Sequence, residues 1–182
     1  LRALVMGFVQ QVRAVRVLDP AAGSGNFLYI AMRLLMDLEQ EAIHFCGAVG
    51  LQPPFPEVGP QQMHGIEIND YAHELAQTTL WIGYLQWRHD HGYGFSEPIL
   101  KPLDTIKHMD AILAYDADGK PVEPEWPAAD VIVGNPPFLG DKKMVSELGT
   151  RYVDNLRLLY GSRLSGQADL VTYWFERART GI

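Results

Sequence analysis

The segment from Val15 to Leu38 constrains this chain more than any other. Val15-Arg16-Val17-Leu18-Asp19 is a short β-branched run, and Pro20-Ala21-Ala22-Gly23-Ser24-Gly25 follows it with turn-forming residues. Phe27, Ile30, Ala31, Leu34, Leu35 and Leu38 then recur at three- to four-residue spacing, the period of a helix with one apolar face. Strand, glycine turn and helix in this order open a βαβ unit. Such a unit commits the chain to a parallel sheet with helices against its faces. With 182 residues, 47% of them hydrophobic and 20% charged, the chain has the length and balance of one globular domain.

The alternation continues. His64-Gly65-Ile66-Glu67-Ile68 reads as a second strand, and Asn69 and Asp70 are capping residues for the helix after it. That helix carries Tyr71, Leu75, Thr78, Ile82 and Leu85 on one face. Between the first helix and this strand, residues 47–62 hold Pro53, Pro54, Pro56 and Pro60 and form an irregular loop. Pro98-Ile99-Leu100-Lys101, ending at Asp104, is the expected third strand. Residues 105–127 read as a connector with a hairpin turn at Asp118-Gly119. Asp130-Val131-Ile132-Val133-Gly134 is the expected buried strand and runs into Asn135-Pro136-Pro137-Phe138. A loop with Lys142 and Lys143 and two helical stretches follow, the second from Asp169 to Ala178. Ligands of open parallel sheets bind beyond the carboxyl ends of the strands. Asp19, Glu67, Asp104 and Asn135 all stand at expected strand ends, so four polar side chains should meet in one crevice.

Charge narrows the partners. The formal net charge of −7 argues against a chain that grips nucleic acid by bulk electrostatics. The acidity is concentrated: residues 63–135 carry 12 of the 22 acidic side chains, whereas residues 136–182 carry 7 of the 15 basic ones. Cys46 is the single cysteine, which excludes a disulfide framework and fits a reducing compartment. No apolar run reaches the ~18 residues of a membrane span, and no leader pattern opens the chain. Because the chain opens on Leu1 and closes inside a charged helical pattern, a piece of a longer polypeptide is expected.

Asn-Pro-Pro-Phe is the most specific chemistry in the sequence. Two prolines fix φ and remove two backbone donors, and each pushes its predecessor away from helix. The segment therefore offers acceptors only, the Asn135 side-chain oxygen and nearby carbonyls, which suits a planar NH2 group. Phe138 adds an aromatic face for stacking a base. Gly23 and Gly25 let the backbone approach a ligand closely. The third glycine of a dinucleotide site is replaced by Leu28, which weakens a nicotinamide cofactor reading. Glu67 could accept both hydroxyls of a ribose, or be a solvated strand-end carboxylate. Asp104 could accept an exocyclic amine, or simply form a turn. His89-Asp90-His91 lacks further metal ligands nearby, and no metal site is expected.

Asp19-Pro20-Ala21-Ala22-Gly23-Ser24-Gly25-Asn26-Phe27 followed by Asn135-Pro136-Pro137-Phe138 resembles the amino-methylating, S-adenosylmethionine-dependent DNA methyltransferases. The order of motifs is that of the γ class acting on adenine N6. The MmeI-like restriction-modification enzymes, in which one polypeptide joins methyltransferase and nuclease, are closest in character. The late stretch Ala168-Asp169-Leu170-Val171-Thr172-Tyr173-Trp174-Phe175 shares the resemblance.

The resemblance implies a Rossmann-like class I methyltransferase fold, mainly parallel and flanked by helices, cut short before its last strands. It implies a cofactor half over 1–127 and a target-base half over 128–182. S-adenosylmethionine would be held by Asp19, Pro20, Ala21, Gly23, Ser24 and Gly25 at its methionine part with Phe27 packed nearby, by Glu67 at the ribose and by Asp104 at the adenine amine, with Ile68 also among the cofactor-binding residues. Asn135, Pro136, Pro137 and Phe138 would hold an adenine flipped out of double-stranded DNA. A cytoplasmic protein of bacteria or archaea is implied, with no membrane partner. Methyltransferases acting on RNA, on cytosine N4 or on protein glutamine share such a motif, and a non-catalytic module could keep the fold. These alternatives stay open at the level of sequence.

Overall fold

The structure, a computed structural model, describes residues 1–94 and 102–181. Its strands are β1 (Val17–Asp19), β2 (Met63–Glu67), β3 (Ile106–His108), β4 (Ala114–Tyr115), β5 (Pro121–Val122) and β6 (Val131–Ile132). Its helices are α1 (Arg2–Ala14), α2 (Asn26–Ala48), α3 (Asp70–Asp90), α4 (Asp141–Leu148), α5 (Thr150–Tyr160) and α6 (Val171–Gly181). Four strands form a parallel sheet in the order β3-β2-β1-β6, and β4 and β5 form a separate antiparallel hairpin. None of the described helices is long and apolar enough to cross a membrane.

The central strands β1 and β2 are covered on both faces, as the strands of parallel sheets with crossover helices are. Side chains alternate along each strand. Val17, Met63 and Ile106 point to a layer built from α1, α2 and α3, where they meet Val12, Leu28, Met32, Ala76 and Leu80. Leu18, Ile66 and Ile132 point to the opposite layer, with Met144 of α4, Val153 and Leu156 of α5 and Tyr173 of α6. Each fully buried Leu, Met or Val contributes roughly 1.5–3 kcal/mol. β1, buried along its whole length, lies between the two layers.

The crossover helices turn a different face to the sheet from the one that apolar periodicity suggests. In α2 the buried apolar side chains are Leu28, Met32, Met36, Ala42 and Cys46, while Ile30 (52% exposed), Leu34 (64%) and Leu38 (42%) face outward. In α3, Ala76, Leu80, Gly83 and Trp87 are buried, and Tyr71, Leu75 and Ile82 are exposed. The reason is close packing. A Cβ on Gly83 would stand 2.2 Å from the Tyr29 ring, and one on Gly65 would stand 3.2 Å from Leu28. Small residues let elements approach, and a search for large apolar residues passes over them.

Two further expectations change. Residues 98–101 lie outside the described residues, and the third strand of the sheet is β3, inside the segment read as a connector. The Asp130–Gly134 run forms only the short β6, which among the described residues pairs with β1 alone and leaves Val131 45% exposed. Among the described residues three helices, not two, follow it, and Lys142 and Lys143 lie on the first of them rather than in a loop. The hairpin turn at Asp118-Gly119 is present, with Gly119 at φ +77°.

The proline-rich loop is anchored from beneath. Glu39 of α2 is 1% exposed and accepts hydrogen bonds from the backbone N–H groups of Glu57 (3.0 Å) and Val58 (2.9 Å). Arg13 of α1 pairs with Glu39 at 2.6 Å and with Glu57 at 2.8 Å, and donates to the Phe55 carbonyl. One buried ion pair thus ties α1, α2 and the loop together.

Candidate functional site

The chain winds from β1 outward to β2 and β3, then returns to place β6 on the other side of β1. Between β1 and β6 the winding direction reverses, and such a switch point opens a crevice at the carboxyl edge. The residues that follow β1, β2, β3 and β6 meet there. They wall a cleft of about 380 Å³, whose lining includes Ala21, Glu67, Ile68, Asp110, Asn135 and Trp174. That volume is within the ~300–1,000 Å³ of small-molecule sites.

After β1 the chain turns sharply. Gly23 and Gly25 adopt φ +53° and +83°, the left-handed region where a Cβ is strained. Gly25 also lies so close to α3 that a Cβ would be 3.1 Å from the Ala76 Cα. The Ala22 N–H donates to the Ile66 carbonyl (3.0 Å), and the Trp174 indole N–H donates to the Pro20 carbonyl (2.9 Å). The loop is therefore fastened on one side to β2 and on the other to α6. Gly23 donates its N–H to Glu67 Oε2 (2.8 Å), and Asn69 donates to Glu67 Oε1 (2.7 Å). With about four acceptor sites on a carboxylate, Glu67 keeps roughly one free on each oxygen.

Asp19 is buried at the end of β1. Its Oδ1 accepts the Ala21 N–H at 3.0 Å and lies where a Cβ on Gly134 would come within 2.3 Å. Burial is the main cause that raises its pKa to about 6. The Ala21 hydrogen bond opposes the rise, and the charge of Glu67 adds to it. A carboxyl so placed is stabilised by an arriving positive charge.

Asn135 is exposed and makes no side-chain hydrogen bond among the described residues. Pro137 lines the cleft with it, whereas Pro136 faces a neighbouring groove between β6 and α6. Phe138, 76% exposed, stands at the outer rim beside Lys142 and Lys143. The rim is held by two hydrogen bonds, Leu170 N–H to the Leu139 carbonyl and Asp141 N–H to Asp169 Oδ1, both 2.9 Å.

Of the expected site residues, Pro20, Ala21, Glu67, Ile68, Asn135 and Pro137 line the cleft. Asp19 closes β1, and Gly23, Ser24 and Gly25 belong to the turn after it. Phe27 is 47% exposed on the first turn of α2 and is not part of the cleft wall. Asp104 is displaced altogether: it lies exposed in the turn that enters β3, at the amino edge of the sheet. The carboxyl edge of β3 is served instead by Asp110, whose Oδ1 accepts the N–H groups of Ile112 (2.8 Å) and Leu113 (3.1 Å). Its signal in the sequence was position, two residues beyond a short strand, but Ile106-Lys107-His108 carries too little apolar character to stand out as one. Trp174 of α6, packed against the core on that side of the sheet, also lines the cleft.

The chain matches the family model for the MmeI DNA-methyltransferase domain over residues 2–182. It is 31% identical over 171 residues to DNA methyltransferase A of Bacillus subtilis (strain 168), covering 91% of this chain and 19% of that protein. The solved structure of the Type IIL restriction-modification enzyme MmeI in complex with DNA superposes with a TM-score of 0.73 at 26% identity. That match covers 99% of this chain and 24% of the MmeI chain, so the domain spans about a quarter of that relative's length or less. The family match runs from Arg2 to the last residue, and the chain belongs to the MmeI DNA-methyltransferase domain family.

Proposed function

We propose that this domain transfers a methyl group from S-adenosylmethionine to the N6 amine of an adenine flipped out of duplex DNA, within a larger restriction-modification enzyme. The observation that carries this reading is the meeting of Glu67, Asp110 and Asn135, from the ends of three strands, around one cleft.

The residues present fit the cofactor. Glu67 has about one acceptor site free on each oxygen, which suits the two hydroxyls of a ribose. Asp110 takes the place expected for Asp104 and faces the cleft with an acceptor for an adenine amine. Ile68 and Trp174 supply apolar walls for a purine. The raised pKa of Asp19 marks a carboxyl held close to where a cation gains most. When bound, the cofactor supplies an electrophilic methyl on a cationic sulfur.

The protein's part is orientation. The lone pair of an adenine amine is delocalised into the ring, which makes the nitrogen a poor nucleophile. The Asn135 side-chain oxygen and a carbonyl of the Pro-Pro segment accept its two hydrogens and favour a more tetrahedral nitrogen. Phe138 offers its exposed face to the extruded base, and positioning supplies much of the acceleration.

The test is Asn135→Ala in the full-length protein. Methyl transfer to DNA should fall at least about a hundredfold, the scale for losing a transition-state hydrogen bond. The dissociation constant for S-adenosylhomocysteine should stay within about threefold, because Asn135 contacts the acceptor side. Equal loss of turnover and binding would overturn the role given to Asn135. A labelled-methyl assay on DNA, RNA and protein acceptors decides the substrate class.

A further inference from the structure

Tyr152 belongs to α5, beyond the Asn-Pro-Pro-Phe segment, yet it lines the same cleft as Asp110. Its hydroxyl donates to Asp110 Oδ2 at 2.7 Å. Asp110 Oδ1 is already occupied by the backbone N–H groups of Ile112 and Leu113. A carboxylate has about four acceptor sites, so three donors leave roughly one, on Oδ2. A single acceptor pairs with one N–H of an aromatic amine and repels a carbonyl oxygen in the same place.

From this accounting we infer that Tyr152 is a positioning residue: it holds the Asp110 carboxylate with one acceptor toward the cleft and so sets selectivity for a 6-aminopurine over a 6-oxopurine in the bound nucleoside. The inference rests on the proposed cofactor reading, and it assigns a specificity role to an element that follows the target motif. The phenol is suited to the task. Burial, with the negative charge of Asp110 beside it, raises its pKa well above the ordinary value, so its proton stays in place. Without the hydroxyl, Oδ2 is free to turn and to take up water, and the distinction between amine and carbonyl weakens.

Calorimetry on the full-length protein with S-adenosylhomocysteine and its 6-oxo analogue, S-inosylhomocysteine, tests the inference. The native protein should prefer the amino ligand by about ten- to a hundredfold, as expected for a hydrogen bond to a charged group. Tyr152→Phe should shrink that ratio about three- to tenfold, mainly by weakening the amino ligand. A merely structural tyrosine would weaken both ligands alike, so an unchanged ratio overturns the inference. If neither ligand binds the native protein, the cofactor reading fails and the inference with it. Asp110→Asn approaches the same contact from the other side, should Tyr152→Phe not fold. The N–H groups of Ile112 and Leu113 would hold the amide oxygen, turning the NH2 toward Tyr152 and the cleft, and the preference should invert. A retained amino preference in that variant overturns the proposed geometry.

Discussion

A single buried carboxyl makes the carboxyl edge of β1 sensitive to pH. Asp19 ionises near 3.8 in an unfolded chain and near 6 in the folded one. Between those values the folded state holds the extra proton, so its contribution to stability is fullest below the lower value and is lost as pH rises through about 6. Asp19→Asn removes this dependence. The variant should be more stable than the native protein at pH 7 by on the order of 2–3 kcal/mol, and no more stable near pH 4. Urea unfolding at the two pH values measures the difference, and equal gaps at both would refute it. The same carboxyl should make affinity for the proposed cationic cofactor rise as pH passes upward through about 6, since a positive charge favours the ionised form.

At the scale of elements, α1, α2 and the proline-rich loop behave as one unit because Glu39 serves all three. Its carboxylate is buried and receives Arg13 and two backbone N–H groups. Glu39→Ala leaves Arg13 and those amides without their partner, a loss of about 3–5 kcal/mol by analogy with broken buried pairs. Hydrogen exchange should report the change locally, with the amides of Glu57 and Val58 losing protection before those of β1. Retained protection at both amides would show that the loop is held by other means.

The site divides in the same way between what local chemistry specifies and what the fold assembles. The turn after β1 and Asn-Pro-Pro-Phe were legible because each is made by adjacent residues: glycines at positive φ, and prolines that remove donors. Asp110 was not legible, since β3 exists chiefly through its pairing with β2, where Gly65 faces Ile106 and Glu67 faces His108. Pairing partners leave little mark on three residues. Asp104 was favoured by its nearness to a more apolar stretch, and it lies on the wrong side of β3.

Across the whole molecule, fold class and parallel topology followed from alternating strands and helices, while the orientation of the helices did not. Both α2 and α3 carry apolar side chains on more than one face, and periodicity selected the stripe of large residues. The contact with the sheet and between the helices instead uses Leu28 opposite Gly65 and Tyr29 opposite Gly83. Burial of β1 between the two layers was foreseeable from its composition. The edge position of β6 was not, because it depends on the order in which strands come together.

The outward stripe of α2 has a practical consequence. Ile30, Leu34 and Leu38 span nine residues of one helix, about 12 Å of greasy ridge on the outer face of the domain. A fluorescent dye such as anilinonaphthalene sulfonate should light up on the fully folded domain, a signal ordinarily taken as the mark of a loosened core. Leu34→Lys should dim the dye and shift the unfolding midpoint little, by the equivalent of about 0.5 kcal/mol or less. Undiminished fluorescence in that variant would place the dye elsewhere. The same ridge should retain the domain on phenyl resin at high salt, so the choice of column and buffer decides how well-behaved this well-packed domain looks in the laboratory.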